Sequence, residues 1–434
     1  MFDRAMQALH LLGLEPVAES TSDPNSYGFR KNRSTADAMS QIFVAMSQRA
    51  SAQWVLEADI QGCFDHISHD WLVSHVPMNK TILRKWLKAG VVHKGQLAPT
   101  EEGTPQGGII SPTLANMVLN GLESSLKAHI SAWKGKIKAG QLKVNVIRYA
   151  DDFVITGVSK EMLETEVRPW VEAFLAQRGL RLSPEKTKVT HIDDGFDFLG
   201  WNFRKYRGKL LIKPSRKSVK AFYDKVKEIM KAAVSMKQEV FLSQLNPVLR
   251  GWAQYHQPVV AKETFSRMDN LIYWRLVRWV KRRHPRKPLS WSRQKYWRQW
   301  GDRCEFTANW KEDGSVKVRK LYRLADTPII RHQKVKGDYN PFDPRWEHYG
   351  EKLRTKRMLG SISYRTELSK LYISQGGHCA LCSEPLDHLT GWHDHHLIYK
   401  VNGGSDALSN RVLLHPVCHN RVHALGLKVV KPAS

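Results

Sequence analysis

The stretch VNVIRYADDFVIT, residues 144–156, sets two adjacent carboxylates, Asp151 and Asp152, between two apolar and β-branched runs. Val, Ile, Tyr, Phe and Thr favour extended backbone. Asp favours turns, because its carboxylate can bond its own main chain. The pattern predicts a hairpin whose tip carries paired acids on rigid strands. Such a pair is ordinarily only a turn. Two further features ask for more. A third acid, Asp59, ends another alternating run within 52–67, which turns at Gly62. Between the two lies the loop TPQGG, 104–108, which feeds a helix starting near Ser111 and Pro112. Its glycines let backbone approach a ligand closely. Aspartates from two separate strands can bind a pair of Mg²⁺ ions, which polarise a phosphate, acidify the attacking hydroxyl and stabilise the leaving oxygen.

Charge divides the chain. Residues 1–200 hold 22 basic and 22 acidic side chains, whereas 201–300 hold 25 and 5, and the latter block also carries seven of the 15 tryptophans. Basic side chains among aromatics suit phosphate contact and base stacking, although a solvated cationic helix surface has the same composition. At net +20 over 100 residues the block points to nucleic acid. PVLRGWAQYH and NLIYWRLVRWVKRRHPRKP read as basic amphipathic helices, the second ended by Pro285. The chain has no apolar run of the roughly 18 residues a membrane helix needs, so no membrane partner is expected. Its first 19 residues form an amphipathic helix without a basic leader or a small-residue cleavage site, and so do not read as a secretory signal.

Cys379, Cys382 and Cys418 fall in a histidine-rich C-terminal segment, which suggests metal binding in a reducing compartment rather than disulfides. A lone Cys379-x-x-Cys382 could be a redox pair or chance. A second pair, His415-x-x-Cys418, 33 residues on favours a structural Zn²⁺ site closed by all four. His395, His396, His419 and His423 remain. His419 and His423 are four apart, on one helix face, as paired ligands need, and a second, catalytic ion accounts for them.

The N-terminal half resembles the palm of group II intron-encoded reverse transcriptases. The resemblance rests on SYGFRKNRS (26–34), EADIQGCFDHI (57–67), TPQGGIISPTLANMVLN (104–120), RYADDFVI (148–155), GLRLSPEKTKV (179–189) and FDFLGWNF (196–203), in the family's order. It implies that Asp59 and Asp151 bind the polymerase Mg²⁺ ions and that Asp152 supports them. Phe64 would stack under the incoming sugar, Gln106 would line the nucleotide site and Tyr149 would touch the primer end. The block 215–300 resembles the thumb and maturase region, and 324–349 the linker of bacterial members. Deoxynucleoside triphosphates, intron RNA and target DNA are the partners implied, in the bacterial cytoplasm.

The C-terminal segment resembles an HNH endonuclease, aligned on Gly403, Gly404 and Asn410. The resemblance makes His396 the general base, with His395, His419 and His423 on one divalent ion and Asn410 holding the base loop. Asp394 and His395 could instead be ligand and base. A zinc-stabilised DNA-binding knob without cleavage is the bland alternative.

The expected architecture is multidomain α+β: an antiparallel palm with helices (1–205, including partial fingers), a basic helical thumb/maturase domain (206–300), a linker or DNA-binding region (301–370) and a small ββα-metal domain (371–434). The family has a fingers segment before the Tyr-Gly-Phe-Arg run, and Met1 falls inside the helix that should follow it. N-terminal truncation is therefore expected, with weak or absent primer extension.

Overall fold

The alternation around Asp59 and the hairpin around Asp151 become neighbouring strands of one sheet. In this computed structural model, which describes residues 2–93, 96–98, 100, 102–104, 107–312, 315–362, 366–388, 390–399 and 402–432, the chain forms two compact units. The first comprises Met1–Leu211 and Lys334–Gly350, the second Ile212–Gln333 and Glu351–Ser434.

In the first unit, β1 is Trp54–Asp59, and β2 (Val91–His93) and β3 (Gln96–Ala98) make a separate small hairpin. The main sheet joins β1 to β4 (Asn145–Tyr149), β5 (Asp152–Gly157) and β6 (Lys188–His191) in the order β4-β5-β1-β6, all antiparallel. Apolar side chains bury one contiguous core, with Leu56, Phe153 and Ile155 from the strands against Leu114 and Val118 of helix Ser111–Leu119 and Leu126 of helix Leu122–Lys134. A helical stretch runs from Lys160 to Ala176, with a wider π turn at Leu163–Val167.

The stretch 301–370, which shows no clean period, divides between the units. Its part Lys334–Gly350 belongs to the first, where side chains rather than secondary structure hold it. Arg33 donates to the carbonyls of Gly337 (2.8 Å) and Tyr339 (3.0 Å), and Val335 N–H donates to Asp37 (2.8 Å).

Beyond β7 (Phe196–Phe198), β8 (Trp201–Tyr206) and β9 (Lys209–Pro214), which share a three-stranded sheet, the second unit is led by three long helices. These are Arg216–Ala232, Gln238–Tyr255 and Lys262–Arg283. Val219, Phe222, Val226 and Met230 are buried on the first and Phe265, Met268, Ile272, Leu276 and Trp279 on the third, at the three- and four-residue spacing that leaves the basic residues outward. A sheet of β10 (Trp297–Trp300), β11 (Arg303–Glu312) and β12 (Ser315–Lys320) follows. The C-terminal segment is an antiparallel pair, β13 (His393–His396) and β14 (Arg411–Leu414), followed by helix Pro416–Leu425. Among the described residues no helix is long and apolar enough to cross a membrane.

His256, fully buried with Nε2 3.1 Å from Ser218 Oγ, has its pKa pushed down to about 4 by burial. The unfolded chain takes up that proton near pH 6.5, so acidification from about 6.5 to about 4 favours unfolding, while nothing changes above that window. The slope expected from this residue is about 1.4 kcal/mol per pH unit. Urea melts at pH 7.5 and pH 5 check it. The acid loss should shrink in His256→Gln, and an equal loss in that variant would assign it elsewhere.

Candidate active sites and metal centres

Asp59 closes β1, and the register sets it directly opposite Asp152, the first residue of β5. Asp152 also faces Tyr149, the last residue of β4, so Ala150 and Asp151 form a two-residue turn. Ala150 has φ 57°, a left-handed conformation that an alanine adopts only under constraint. The structure thus brings Asp59, Asp151, Asp152 and Tyr149 to one end of the sheet.

The acids crowd one another. Burial first, then the charges of Asp151 and Asp59 and a hydrogen bond with Asp59, push the Asp152 carboxyl up to about 6. Lys186 Nζ lies 2.9 Å from Asp59 Oδ2, and that hydrogen bond raises the lysine's own pKa. Three carboxylates, one of them bonded to the exposed Lys186 ammonium, offer oxygen donors suited to a hard divalent cation. Phe64 sits in the short helix Cys63–His66, edge-on to Phe29 with 6.3 Å between ring centroids. The backbone leading to the glycine-rich loop is tied to that helix, Thr104 N–H donating to the Phe64 carbonyl (2.7 Å) and Gly103 N–H to that of Ile67 (2.8 Å). Gln106 lies outside the described residues.

Sequence reasoning missed what stands behind these acids. Arg148 is buried, and the strap Asn25–Gly28 lies against the turn: a Cβ on Gly28 would stand 2.3 Å from Ala150 N. The signal was present in SYGFR and RYADD, which read there only as family motifs. Lys186 was equally visible in SPEKTKV and was given no role.

In the second unit, the ligand atoms of Cys379, Cys382, His415 and Cys418 lie within 4.8 Å of one another. Burial alone would raise the Cys379 thiol, but N–H groups of Cys382, His415 and Leu381 outweigh it and bring it down to about 7. Cys418 goes the other way, to about 12, through burial and the neighbouring sulfurs. Three thiols with one imidazole are a soft tetrahedral set.

A second cluster, His395, His419 and His423, also converges within 4.8 Å. Burial and the neighbouring rings lower the pKa of His395 and take that of His419 down to about 4, which keeps these imidazoles in the neutral form that binds metals. His393 adds a fourth ring, 4.7 Å from that of His419. His396 is absent from the cluster. Its Nε2 lies 2.8 Å from Asp406 Oδ1. Asp394 is turned to Arg411, whose Nε is 3.1 Å from both carboxylate oxygens, and Arg411 also reaches Glu367 at 2.7 Å. Asn410 fastens the intervening loop, accepting from Ile398 N–H (2.8 Å) and donating to the carbonyls of Ile398 (3.0 Å) and Ser405 (2.8 Å).

Comparison with known proteins follows the same division. Residues 1–203 match the family described as Reverse transcriptase (RNA-dependent DNA polymerase), 219–297 the Group II intron, maturase-specific domain, and 379–425 HNH endonuclease. Protein YkfC of Escherichia coli is 33% identical over 48% of this chain and 62% of its own length. The Group II intron-encoded protein LtrA of Lactococcus lactis is 27% identical over 46% of this chain and 43% of its own. Maturase-like protein 1 of Euglena gracilis is 26% identical over 59% and 52%. The chain therefore spans less than two thirds of each of these relatives. With all three domains matched in order, the chain belongs to the group II intron-encoded reverse transcriptase/maturase family, in its form with a C-terminal HNH domain.

Proposed function

We propose that this protein serves group II intron mobility, combining RNA-directed DNA synthesis, intron RNA binding in support of splicing, and HNH cleavage of target DNA. The observation that carries the reading is the presence in one chain of three carboxylates at one end of a palm-like sheet and a three-histidine cluster on a ββα scaffold. In the palm, Asp59 and Asp151 would hold Mg²⁺ with Asp152 in support; bound Mg²⁺ supplies charge neutralisation of a deoxynucleoside triphosphate and acidifies the primer hydroxyl. Tyr149 would meet the primer end, Phe64 the sugar and Gln106 the nucleotide.

In the nuclease, His395, His419 and His423 would hold one divalent ion. His396, next in sequence to His395 but outside the cluster, would take the proton of the attacking water. Asn410 would fix the loop that carries the base. Cys379, Cys382, His415 and Cys418 would hold Zn²⁺ as a structural ion. Asp394, engaged by Arg411, is left out of the ligand set.

Two assays on the purified chain test the reading. Nicking of target DNA should require a divalent ion, and whatever Mg²⁺-dependent extension of a DNA primer on RNA the chain supports should be lost in Asp151→Asn. Extension absent from the parent chain with nicking intact would confine the function to RNA binding and cleavage. Failure of both assays would sink the proposal.

The basic helices would grip the RNA backbone. Neutralising as few as three phosphates weakens binding roughly 40-fold between 50 and 200 mM salt, through counterion release. Titrating intron RNA across that range checks this. A flat response, unchanged in variants of Arg275, Arg278 and Arg282, would mean that these helices are merely solvated.

A further inference from the structure

We propose that Arg148 is the positioning residue of the aspartate turn: its buried guanidinium, bound among the described residues by neutral acceptors alone, holds Ala150 and so fixes the carboxylates that follow in a metal-competent geometry. This inference rests on the palm being a divalent-metal site.

The side chain is 2% exposed. Nη1 donates to Asn116 Oδ1 (3.0 Å) and to the Ala150 carbonyl (3.1 Å), and Nη2 donates to Asn120 Oδ1 (3.2 Å). The main chain of the same residue is clamped from the other side, its N–H donating to the Asn25 carbonyl (3.0 Å) and its carbonyl accepting from Tyr27 N–H (2.9 Å). Asn116 closes the circuit by donating through Nδ2 to the Gly28 carbonyl (2.8 Å). Helix Ser111–Leu119 and the turn therefore meet on the guanidinium, and the strap at 25–28 meets the main chain of the same residue and Asn116.

That arrangement explains two oddities. The left-handed Ala150 costs about 1–2 kcal/mol and persists only where its surroundings over-determine it. Arg148 grips its carbonyl from below, while the Gly28 backbone presses on its N–H side, with no room for a Cβ. Secondly, a buried arginine ordinarily takes a carboxylate partner, yet among the described residues none bonds to Arg148. Asp23 and Glu123, the acids it feels electrostatically, are bonded to the backbone N–H groups that open helix Leu122–Lys134 and to Asn25. Neutral acceptors therefore hold the guanidinium at contact, and the acids it feels, Asp23 and Glu123, act on it only at longer range. Burial lowers its pKa only to about 10, so the charge is present at neutral pH. Arg148 is thus a clamp on the turn, acting through its hydrogen bond to the Ala150 carbonyl.

Iron-directed backbone cleavage reads the palm and the nuclease separately in the full chain. Fe²⁺ with ascorbate and peroxide should cut near residues 59 and 151, suppressed by excess Mg²⁺, and near 395 and 419 as an internal reference. Arg148→Lys keeps the charge but loses the planar fork. The Fe²⁺ concentration for half-maximal palm cleavage should rise tenfold or more, with the reference cuts unchanged. Should that variant not fold, Asn116→Ala, which deletes one acceptor, should raise the concentration at least threefold. Palm cleavage within twofold of the parent in a folded variant would overturn the inference alone. A parent chain that cuts only at the nuclease would overturn the palm metal site, and this inference with it.

Discussion

His396→Ala is expected to lower divalent-metal-dependent DNA nicking by about 10³-fold while leaving the metal content of the nuclease unchanged. The size follows from the 10²- to 10⁴-fold contribution of a positioned general base. The separation of effects follows from the fold. Side chains alternate along β13, so His395 points to the face shared with His419 and His423, and His396 points to the opposite one, where it meets Asp406. Removing the imidazole of His396 therefore deletes a proton acceptor but no ligand. His423→Ala should behave differently, losing metal and activity together. Single-turnover nicking of supercoiled plasmid, with metal content measured on the same preparations, distinguishes the two. Unchanged nicking in His396→Ala would reject it as the base, and metal loss in that variant would place it among the ligands.

What could be read from the sequence tracks how locally each feature is encoded. The strands around Asp59 and Asp151 announce themselves through β-forming residues and the turn between β4 and β5, whereas the β1–β5 pairing that sets Asp59 opposite Asp152 joins distant segments and is seen only in the fold. The histidine spacing on helix Pro416–Leu425 is local, since residues four apart share a face whatever surrounds them. Arg148 was invisible for the opposite reason. Its meaning depends on Asn116, Asn120 and Gly28, 28 to 120 positions away, and a basic residue inside a strand pattern reads as an exposed one until the fold buries it. The strap Lys334–Gly350 escaped likewise: it has no period, because hydrogen bonds from Arg33 and to Asp37 shape it. Two possible alignments around Asp394 were also open in sequence. Arg411, two positions along in the cross-strand register, supplies the contact that occupies that carboxylate.

Stripping Zn²⁺ from the proposed Cys379, Cys382, His415 and Cys418 site, or replacing Cys418 by Ser, should unfold the nuclease segment and abolish its nicking outright. The apolar core there is small: Leu371, Leu386, Val412, Leu414 and Val422 are among its buried members, with Cys379 and Cys418 packed into it. A core of that size supplies little stability by itself, whereas a structural zinc contributes roughly 10–16 kcal/mol of apparent binding free energy that becomes folding free energy. The coupling to function is direct. Cys418 and the histidines His419 and His423 ride on the same ten-residue helix, and His415 stands at its N-cap, so releasing one metal site lets go of the scaffold of the other. A chelator titration followed by limited proteolysis should show cleavage appearing between 371 and 425 in step with the loss of nicking. RNA affinity carried by the basic helices should persist. Nicking that survives both zinc removal and Cys418→Ser would show that the thiol cluster is dispensable and that the histidine site folds without it.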